Sequence, residues 1–182
     1  MPTEAEHLAA MHPFLRERAE RALAAFRATA RPGEVVKVVE SVRSLATQQA
    51  YFAAGKSKAD GLVKLSLHQF APALAFDVAV IVGGKYVASA AASEWQRWGA
   101  CCESQGLEWG GRWKGLVDAP HAQVTLTDRV KLVQAAAGVA ADGDWGPATA
   151  PSDSRGDAAP ITRCRGTPPA MSTGRQASRR AR

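Results

Sequence analysis

The sequence predicts an α+β fold, with a small antiparallel sheet flanked by helices and followed by a tail of different character. Segments whose apolar residues recur at helical spacing are interspersed with short strand-like segments, an order typical of this fold class. The chain has 182 residues, of which 46% are hydrophobic, and this is enough for one buried core. The regular periodicity ends near residue 150.

The N-terminal segment predicts helices. Apolar residues recur at helical spacing from about Thr3 to Ala28, and Thr3 with Glu6 has the pattern of a capping box. Pro13 is expected to divide this stretch into two helices. The segment EVVKVVESV then predicts a strand, and SLATQQAYFAAG predicts a short helix that ends at Gly55.

The second half of the predicted domain contains two further strands and one helix. ALAFDVAVIV predicts a buried strand followed by a hairpin turn at GGKY. SEWQRWGACCESQG predicts a helix with Ser93 as N-cap and Gly106 as its stop, and HAQVTL predicts a last short strand. These elements make up a first predicted domain, residues 1–127. The adjacent Cys101 and Cys102, together with Cys164, indicate neither a disulfide framework nor a cysteine zinc site.

The formal net charge of +6 is concentrated in the tail, because six arginines and no acidic residue lie between Ala158 and the end of the chain. Residues 150–182 lack periodicity and contain almost no large apolar side chains, so we expect a disordered Arg-rich tail. Such a tail can bind an anionic envelope surface. We expect no nucleic acid partner, since no aromatic platform or recognition motif accompanies the arginines.

His68, Asp77 and His121 are the candidates for chemistry. Asp77 interrupts an apolar strand, where a carboxylate is costly unless it is paired or bound to a metal. Two histidines and one carboxylate, with one open position, form a common ligand set for catalytic zinc. The alternative is a satisfied His–Asp pair in the core without a metal, and spacing alone favours that alternative.

Three segments together resemble a known enzyme family. SLHQFAPALAFDV resembles the S-x-H-x-x-G-x-A-x-D motif of the zinc D-Ala-D-Ala carboxypeptidase superfamily. GLEWGGRWKGLVDAPHAQV is similar to the second motif of its phage members, the L-alanyl-D-glutamate endolysins, and VRSLATQQAYFAAGKSK is similar to a segment upstream in those proteins. The three motifs occur in the family's order and cover roughly residues 8 to 125.

The resemblance implies a role for each residue of a zinc peptidase site. His68, Asp77 and His121 would bind Zn²⁺. Asp118 would be the catalytic general base that takes a proton from the attacking water and passes it to the leaving amine. Arg43 would stabilise the oxyanion that develops on the scissile carbonyl.

Further residues are expected around this site. Ser66 would brace the first ligand or touch substrate. Trp109 and Trp113 would line the substrate cleft, with burial in the core as the alternative for each. Glu108 is a second candidate for the base, and it ranks behind Asp118 because it precedes the Gly-Gly turn rather than standing at the D-x-P-H position.

The sequence departs from the family pattern at several positions. His68 and Asp77 are nine residues apart, whereas the family usually has seven, so Ala71–Pro72 is interpreted as a loop insertion. Ala122 stands where the family usually has Phe, which is expected to remove packing beside the site. Lys56 replaces an arginine.

The predicted segment 128–149 resembles the opening half of a peptidoglycan-binding repeat, through LVQAAAGVAADGDWGPAT. The whole resemblance implies a monomeric endolysin that hydrolyses peptidoglycan stem peptides between L-Ala and D-Glu. The alternatives are a D-Ala-D-Ala carboxypeptidase or dipeptidase and a catalytically degenerate wall-binding protein. Because the N-terminus lacks the pattern of a signal peptide, we expect a protein in the host cytoplasm that reaches the periplasm and cell wall after membrane permeabilisation.

Overall fold

A computed structural model describes residues 2–144, and a five-stranded antiparallel sheet forms their centre. The spatial order is β1-β2-β5-β4, and β3 pairs with β2 as a short hairpin. The strands are β1 (Glu34–Glu40), β2 (Ala75–Val82), β3 (Lys85–Tyr86), β4 (Leu107–Trp109) and β5 (His121–Val124). The predicted α+β class is confirmed. The predicted tail, residues 150–182, and the end of the segment 128–149 lie outside the described residues.

Five α-helices surround the sheet within the described part of the chain. They are α1 (Glu4–Ala9), α2 (Pro13–Ala28), α3 (Leu45–Ala53), α4 (Ser93–Ser104) and α5 (Leu126–Ala136). The predicted capping box is present, because Thr3 N donates to Glu6 at 2.6 Å and the Thr3 hydroxyl accepts from Glu6 N at 3.3 Å. No helix within residues 2–144 is both long and apolar enough to cross a membrane.

The hydrophobic core lies between one face of the sheet and the helices α2 and α4. Phe76, Val78 and Val80 of β2 are buried on this face, and they alternate with partly exposed residues on the other. Trp98 of α4 packs edge-on against Phe76, with ring centroids 6.2 Å apart. The alternation leaves the opposite face of the sheet free for other chemistry.

Two details of the secondary structure differ from the sequence prediction. Ser93 does not cap α4: it is the first helical residue, and Ala92 precedes the helix without a side-chain hydrogen bond. The strand β4 was not predicted, since three residues are too few to show an alternating pattern. Its pairing with β5, in which Glu108 lies opposite Gln123, defines it instead. The segment predicted from residue 128 begins inside α5, which Thr125 caps.

A row of polar residues crosses three strands on the face away from the core. Asp77 of β2 has His121 of β5 as its Cα partner on one side and Glu40 of β1 on the other. A bulge between Val38 and Glu40 shifts the register there. Bulges re-aim side chains, and this one brings Glu40 into the same row as Asp77.

Candidate metal centre

The three predicted ligands converge at this row. One ligand atom from each of His68, Asp77 and His121 lies within 4.8 Å of the others. His68 Nε2 is 3.1 Å from His121 Nδ1, and Asp77 Oδ1 is 3.3 Å from the first and 3.0 Å from the second. Residues that are nine and 44 positions apart in sequence from Asp77 therefore meet at one point.

His68 reaches this point from a short 3-10 turn, Leu67–Gln69. Ser66 caps the turn, and its hydroxyl accepts from His68 N at 3.4 Å, so the expected bracing role of Ser66 agrees with its position. The longer loop before β2 is held by the N-terminal segment, because Ala73 N donates to the Ala10 carbonyl and His12 N donates to the Ala73 carbonyl. The insertion thus does not displace His68 from the cluster.

Each histidine is held through the ring nitrogen that faces away from the cluster. His68 Nδ1 lies 2.7 Å from the carbonyl oxygen of Ser41, which can only accept, so Nδ1 carries the proton. His121 Nε2 lies 3.0 Å from Gln123 Oε1. The amide of Gln123 is oriented in turn by Glu108, to which Gln123 Nε2 donates at 2.9 Å. His68 Nε2 and His121 Nδ1 are therefore the nitrogens that face Asp77 Oδ1.

This arrangement fits a bound cation. Two neutral rings would direct two nitrogen lone pairs and the Asp77 oxygen at the same point, which is repulsive unless a positive charge lies between them. Burial opposes ionisation of Asp77, but His68 and His121 outweigh it and hold the pKa of Asp77 well below its usual range. Burial also opposes charge on His121, yet its hydrogen bond to Asp77 gives a net rise in the pKa of His121. Two imidazole nitrogens and one carboxylate oxygen suit zinc.

Asp118 lies beside the cluster and lines the same cleft. Its carbonyl accepts from His121 N at 3.2 Å, and its own N donates to the Gly110 carbonyl at 3.0 Å. Burial, and next the nearby Asp77 carboxylate, raise the pKa of Asp118 above its usual range. Within residues 2–144 the Asp118 carboxylate has no side-chain hydrogen bond, which leaves it available to a proton in the cleft.

Arg43 is close to the cluster but is engaged by protein groups. It donates to both carboxylate oxygens of Glu40, to Gln48 Oε1 at 2.9 Å, and to Asp77 Oδ2 at 3.0 Å. The guanidinium is thus bound to the oxygen of Asp77 that faces away from the histidines. In this conformation Arg43 orients a ligand, and the predicted oxyanion role requires some of these bonds to open.

A cleft of about 950 Å³ opens over the cluster. Besides the three ligands and Asp118, its walls include two serines, three aromatic residues and several cationic residues: Ser57, Ser66, Tyr51, Tyr86, Trp113, Arg43, Lys56, Lys58, Lys64, Lys114 and Arg129. Trp113 lies on this wall, and its contact with substrate stays a prediction. Its indole ring lies 4.9 Å from the His121 ring.

Trp109 is not on the cleft wall, and this prediction is corrected. Only 1% of the residue is exposed, and it belongs to the hydrophobic core. Its Nε1 donates to the Ala119 carbonyl at 2.7 Å. Strand alternation is the reason, because Glu108 faces the site and its neighbour must then face the core. Ala122 is likewise buried on the core side, as the Cα partner of Trp109, and so is not beside the metal ligands.

Sequence reasoning missed Ser41 and Gln123, the two residues that hold the histidines. Gln123 had a usable signal, since it stands two residues after His121 in a predicted strand and must share its face. Ser41 acts through its backbone carbonyl, so its side chain gave no signal.

Comparison with known proteins gives two matches. Residues 60–124 match a family model described as D-alanyl-D-alanine carboxypeptidase. The fold is similar to the crystal structure of the L-Ala D-Glu endopeptidase ChiX of Serratia marcescens, with a TM-score of 0.55 and 28% sequence identity, over 69% of this chain and 89% of that chain. The family match contains His68, Asp77, Asp118 and His121, whereas Arg43 precedes it.

Proposed function

Because the chain belongs to the D-alanyl-D-alanine carboxypeptidase superfamily of peptidases, we propose that it is a zinc-dependent hydrolase of peptidoglycan stem peptides that cleaves between L-Ala and D-Glu. The observation that carries the proposal is the orientation of His68 and His121, whose outward nitrogens are both bound to protein acceptors. Outer hydrogen bonds of this kind are typical of metal-binding histidines.

His68, Asp77 and His121 would hold the zinc ion. When bound, zinc acts as a Lewis acid that makes water a nucleophile near neutral pH and polarises a carbonyl. Asp118 takes the proton from the attacking water on its carboxylate and later donates it to the leaving amine. A raised pKa suits both halves of this role, because a carboxyl group whose pKa lies closer to the operating pH can accept a proton from water and return it to the amine.

The cleft wall supports an acidic peptide as substrate. Lys56, Lys58, Lys64 and Lys114 line the cleft together with Arg129. These cations outnumber the two carboxylates on the wall, Asp77 and Asp118, and an excess of one charge concentrates ligands of the opposite sign, such as the carboxylates of stem peptides. Ser66 and Trp113 would contact the peptide nearest the metal, and Arg43 would reach the developing oxyanion if it releases Glu40 or Gln48.

The second candidate is removal of the terminal D-Ala, as the description of the matching family suggests. The likeness to an L-Ala D-Glu endopeptidase favours the first bond, because that protein aligns over 89% of its own length. We further propose an endolysin role, in which a monomer reaches the wall after membrane permeabilisation and the basic tail adds binding to the anionic envelope.

Digestion of purified peptidoglycan, with and without a chelator, tests the proposal. Mass spectrometry identifies the new termini. We expect fragments that end in L-Ala and begin with D-Glu, formed only without chelator and restored by zinc. Release of free D-Ala would support the second candidate. An unchanged digest, obtained with protein shown to be folded, would contradict both activities.

A further inference from the structure

We propose that Glu108 is a positioning residue that fixes the metal ligand His121 from two directions. Glu108 lies on β4, directly opposite Gln123 of β5. One carboxylate oxygen accepts from Gln123 Nε2 at 2.9 Å, and the other accepts from Trp113 Nε1 at 2.6 Å. Both donors belong to side chains that touch His121: Gln123 Oε1 lies 3.0 Å from His121 Nε2, and the Trp113 ring centroid lies 4.9 Å from that of His121. This inference rests on the metal centre proposed above.

First, Glu108 acts through Gln123 on the tautomer of His121. A carboxylate can only accept, so Glu108 requires the NH₂ group of Gln123 to face it. Gln123 Oε1 then faces His121 and accepts from Nε2, so Nδ1 faces Asp77 and His68 and is the nitrogen whose lone pair can bind a metal. If the amide turned over, its NH₂ group would donate to Nε2 and favour a proton on Nδ1. That tautomer cannot bind a metal through Nδ1.

Second, Glu108 holds the indole of Trp113 beside His121. Its ring lies 4.9 Å from the His121 ring at an interplanar angle of 46°. Trp113 is in the loop after β4, on the wall of the cleft, and its bond to Glu108 ties that loop to the sheet. The same carboxylate therefore fixes the ring orientation of His121 and the position of the indole beside it.

These bonds also separate Glu108 from the base role. Both of its oxygens accept hydrogen bonds from protein donors, whereas the Asp118 carboxylate has none from a side chain within residues 2–144. We therefore assign Glu108 to orientation of His121 and keep Asp118 as the base. Loss of Glu108 should lower metal affinity, while loss of Asp118 should lower turnover.

The test uses the full-length variants Glu108→Gln and Gln123→Glu and the double variant that carries both. In Glu108→Gln, Trp113 Nε1 still needs an acceptor, so the new amide turns its NH₂ group toward Gln123 and favours the reversed Gln123 amide; we expect zinc affinity to fall about 10- to 100-fold. In the double variant, the new amide at position 108 donates to the new carboxylate at position 123, which again accepts from His121 Nε2. Zinc affinity, measured by competition with a chelator, should return to within a few-fold of wild type.

The control is Glu103→Gln, since Glu103 pairs with Arg112 at the surface. Its zinc affinity should not change. Wild-type affinity in Glu108→Gln, or a double variant no tighter than the weaker single variant, would overturn the proposal.

A second measurement needs no zinc: ¹⁵N shifts of metal-free protein, at a pH where His121 is neutral, report its tautomer. Asp77 attracts a proton to Nδ1 in both proteins, so the comparison decides: Nε2 should carry the proton in a smaller fraction of Glu108→Gln than of wild type, and equal fractions would overturn the proposal. A wild type that binds no zinc would refute the proposed function, and the tautomer measurement would still decide the role of Glu108.

Discussion

Ser41 and Gln123 each hold one histidine of the cluster through the nitrogen that faces away from it. Asp77 is held in a similar way, because Arg43 binds Oδ2 and leaves Oδ1 toward the histidines. Every ligand therefore has one atom committed to the protein and one directed at the shared point. Substitution of a ligand should lower zinc affinity more than substitution of the residue that holds the ligand's other atom. The two kinds of role can therefore be distinguished by experiment.

His68→Ala should abolish stoichiometric zinc binding. The substitution removes a direct ligand, so its effect should exceed the roughly 10- to 100-fold loss that follows removal of an outer hydrogen-bond partner. Elemental analysis of fresh, unchelated protein measures it. His12→Ala is the control, because His12 caps α2 through Phe14 N and takes no part in the cluster. One zinc per chain in His68→Ala would remove this residue from the ligand set.

Asp118→Asn should keep the fold and the zinc but lose most of its turnover. The change preserves size and removes the basic oxygen, and general-base catalysis is typically worth about 10²- to 10⁴-fold. The loss should appear in kcat more than in KM, because the base acts on water. If Asp118 serves only to shape the turn before Pro120, asparagine would be nearly neutral. Near-normal kcat on a stem peptide would therefore reject it as the base.

At the scale of elements, β4, β5 and α4 connect the core to the site. Trp109 lies on the core side of β4 and donates to the Ala119 carbonyl, next to Asp118. Its indole is enclosed by two glycines, Gly99 of α4 and Gly111, where an added Cβ would overlap the ring. The two faces of β4 thus both contact the surroundings of the site: Glu108 bonds to Gln123 beside His121, and Trp109 bonds to the loop that carries Asp118, the proposed base.

Gly99→Ala should destabilise the protein. Helix propensity alone favours alanine by about 1 kcal/mol, but the new Cβ would overlap the buried Trp109 ring, and overpacking of a core costs about 1–3 kcal/mol. Because the ring is fully enclosed, we expect the overlap to decide the sign. Urea unfolding measures the change, with exposed Ala100→Gly in the same helix as the control for propensity. A more stable Gly99→Ala would show that the ring can move aside.

Periodicity and capping patterns predicted most of the helices and strands, since each of those elements is long enough to show its spacing. The residues 107–109 could not be predicted as a strand, because only the pairing with β5 defines it. The site was predictable as a set of residue types through the resemblance, but not through spacing, as His68 and His121 are 53 positions apart. The hydrogen bonds between Arg43 and Glu40 could not be predicted either, because Glu40 follows a bulge in β1 that no local sequence pattern indicates.

At the scale of the molecule, the sheet separates two tasks. The helices α2 and α4 cover one face and form the core with it, while the other face carries the cluster and the cleft. Because successive strand residues alternate between these faces, Phe76 and Val78 can be core residues while Asp77 between them is a ligand. Substitutions on the two faces should therefore separate stability from metal binding.

Removal of residues 150–182 should leave hydrolysis of a soluble stem peptide unchanged. All residues assigned to the site lie in the first of the two units into which the chain divides, and this unit ends at Thr149. The composition of the removed segment cannot supply a packed core. Its cationic end should instead add attraction to intact walls, and this attraction should weaken as salt shortens the range of charge interactions below about 10 Å.

Kinetics on the peptide and sedimentation with whole walls at low and high salt measure the two effects. Replacing the six arginines after Ala158 by glutamine in the full-length chain is the matched control, since it removes charge at constant length. Loss of peptide turnover in the truncated protein, with the arginine variant still active, would mean that the segment supports the catalytic unit itself.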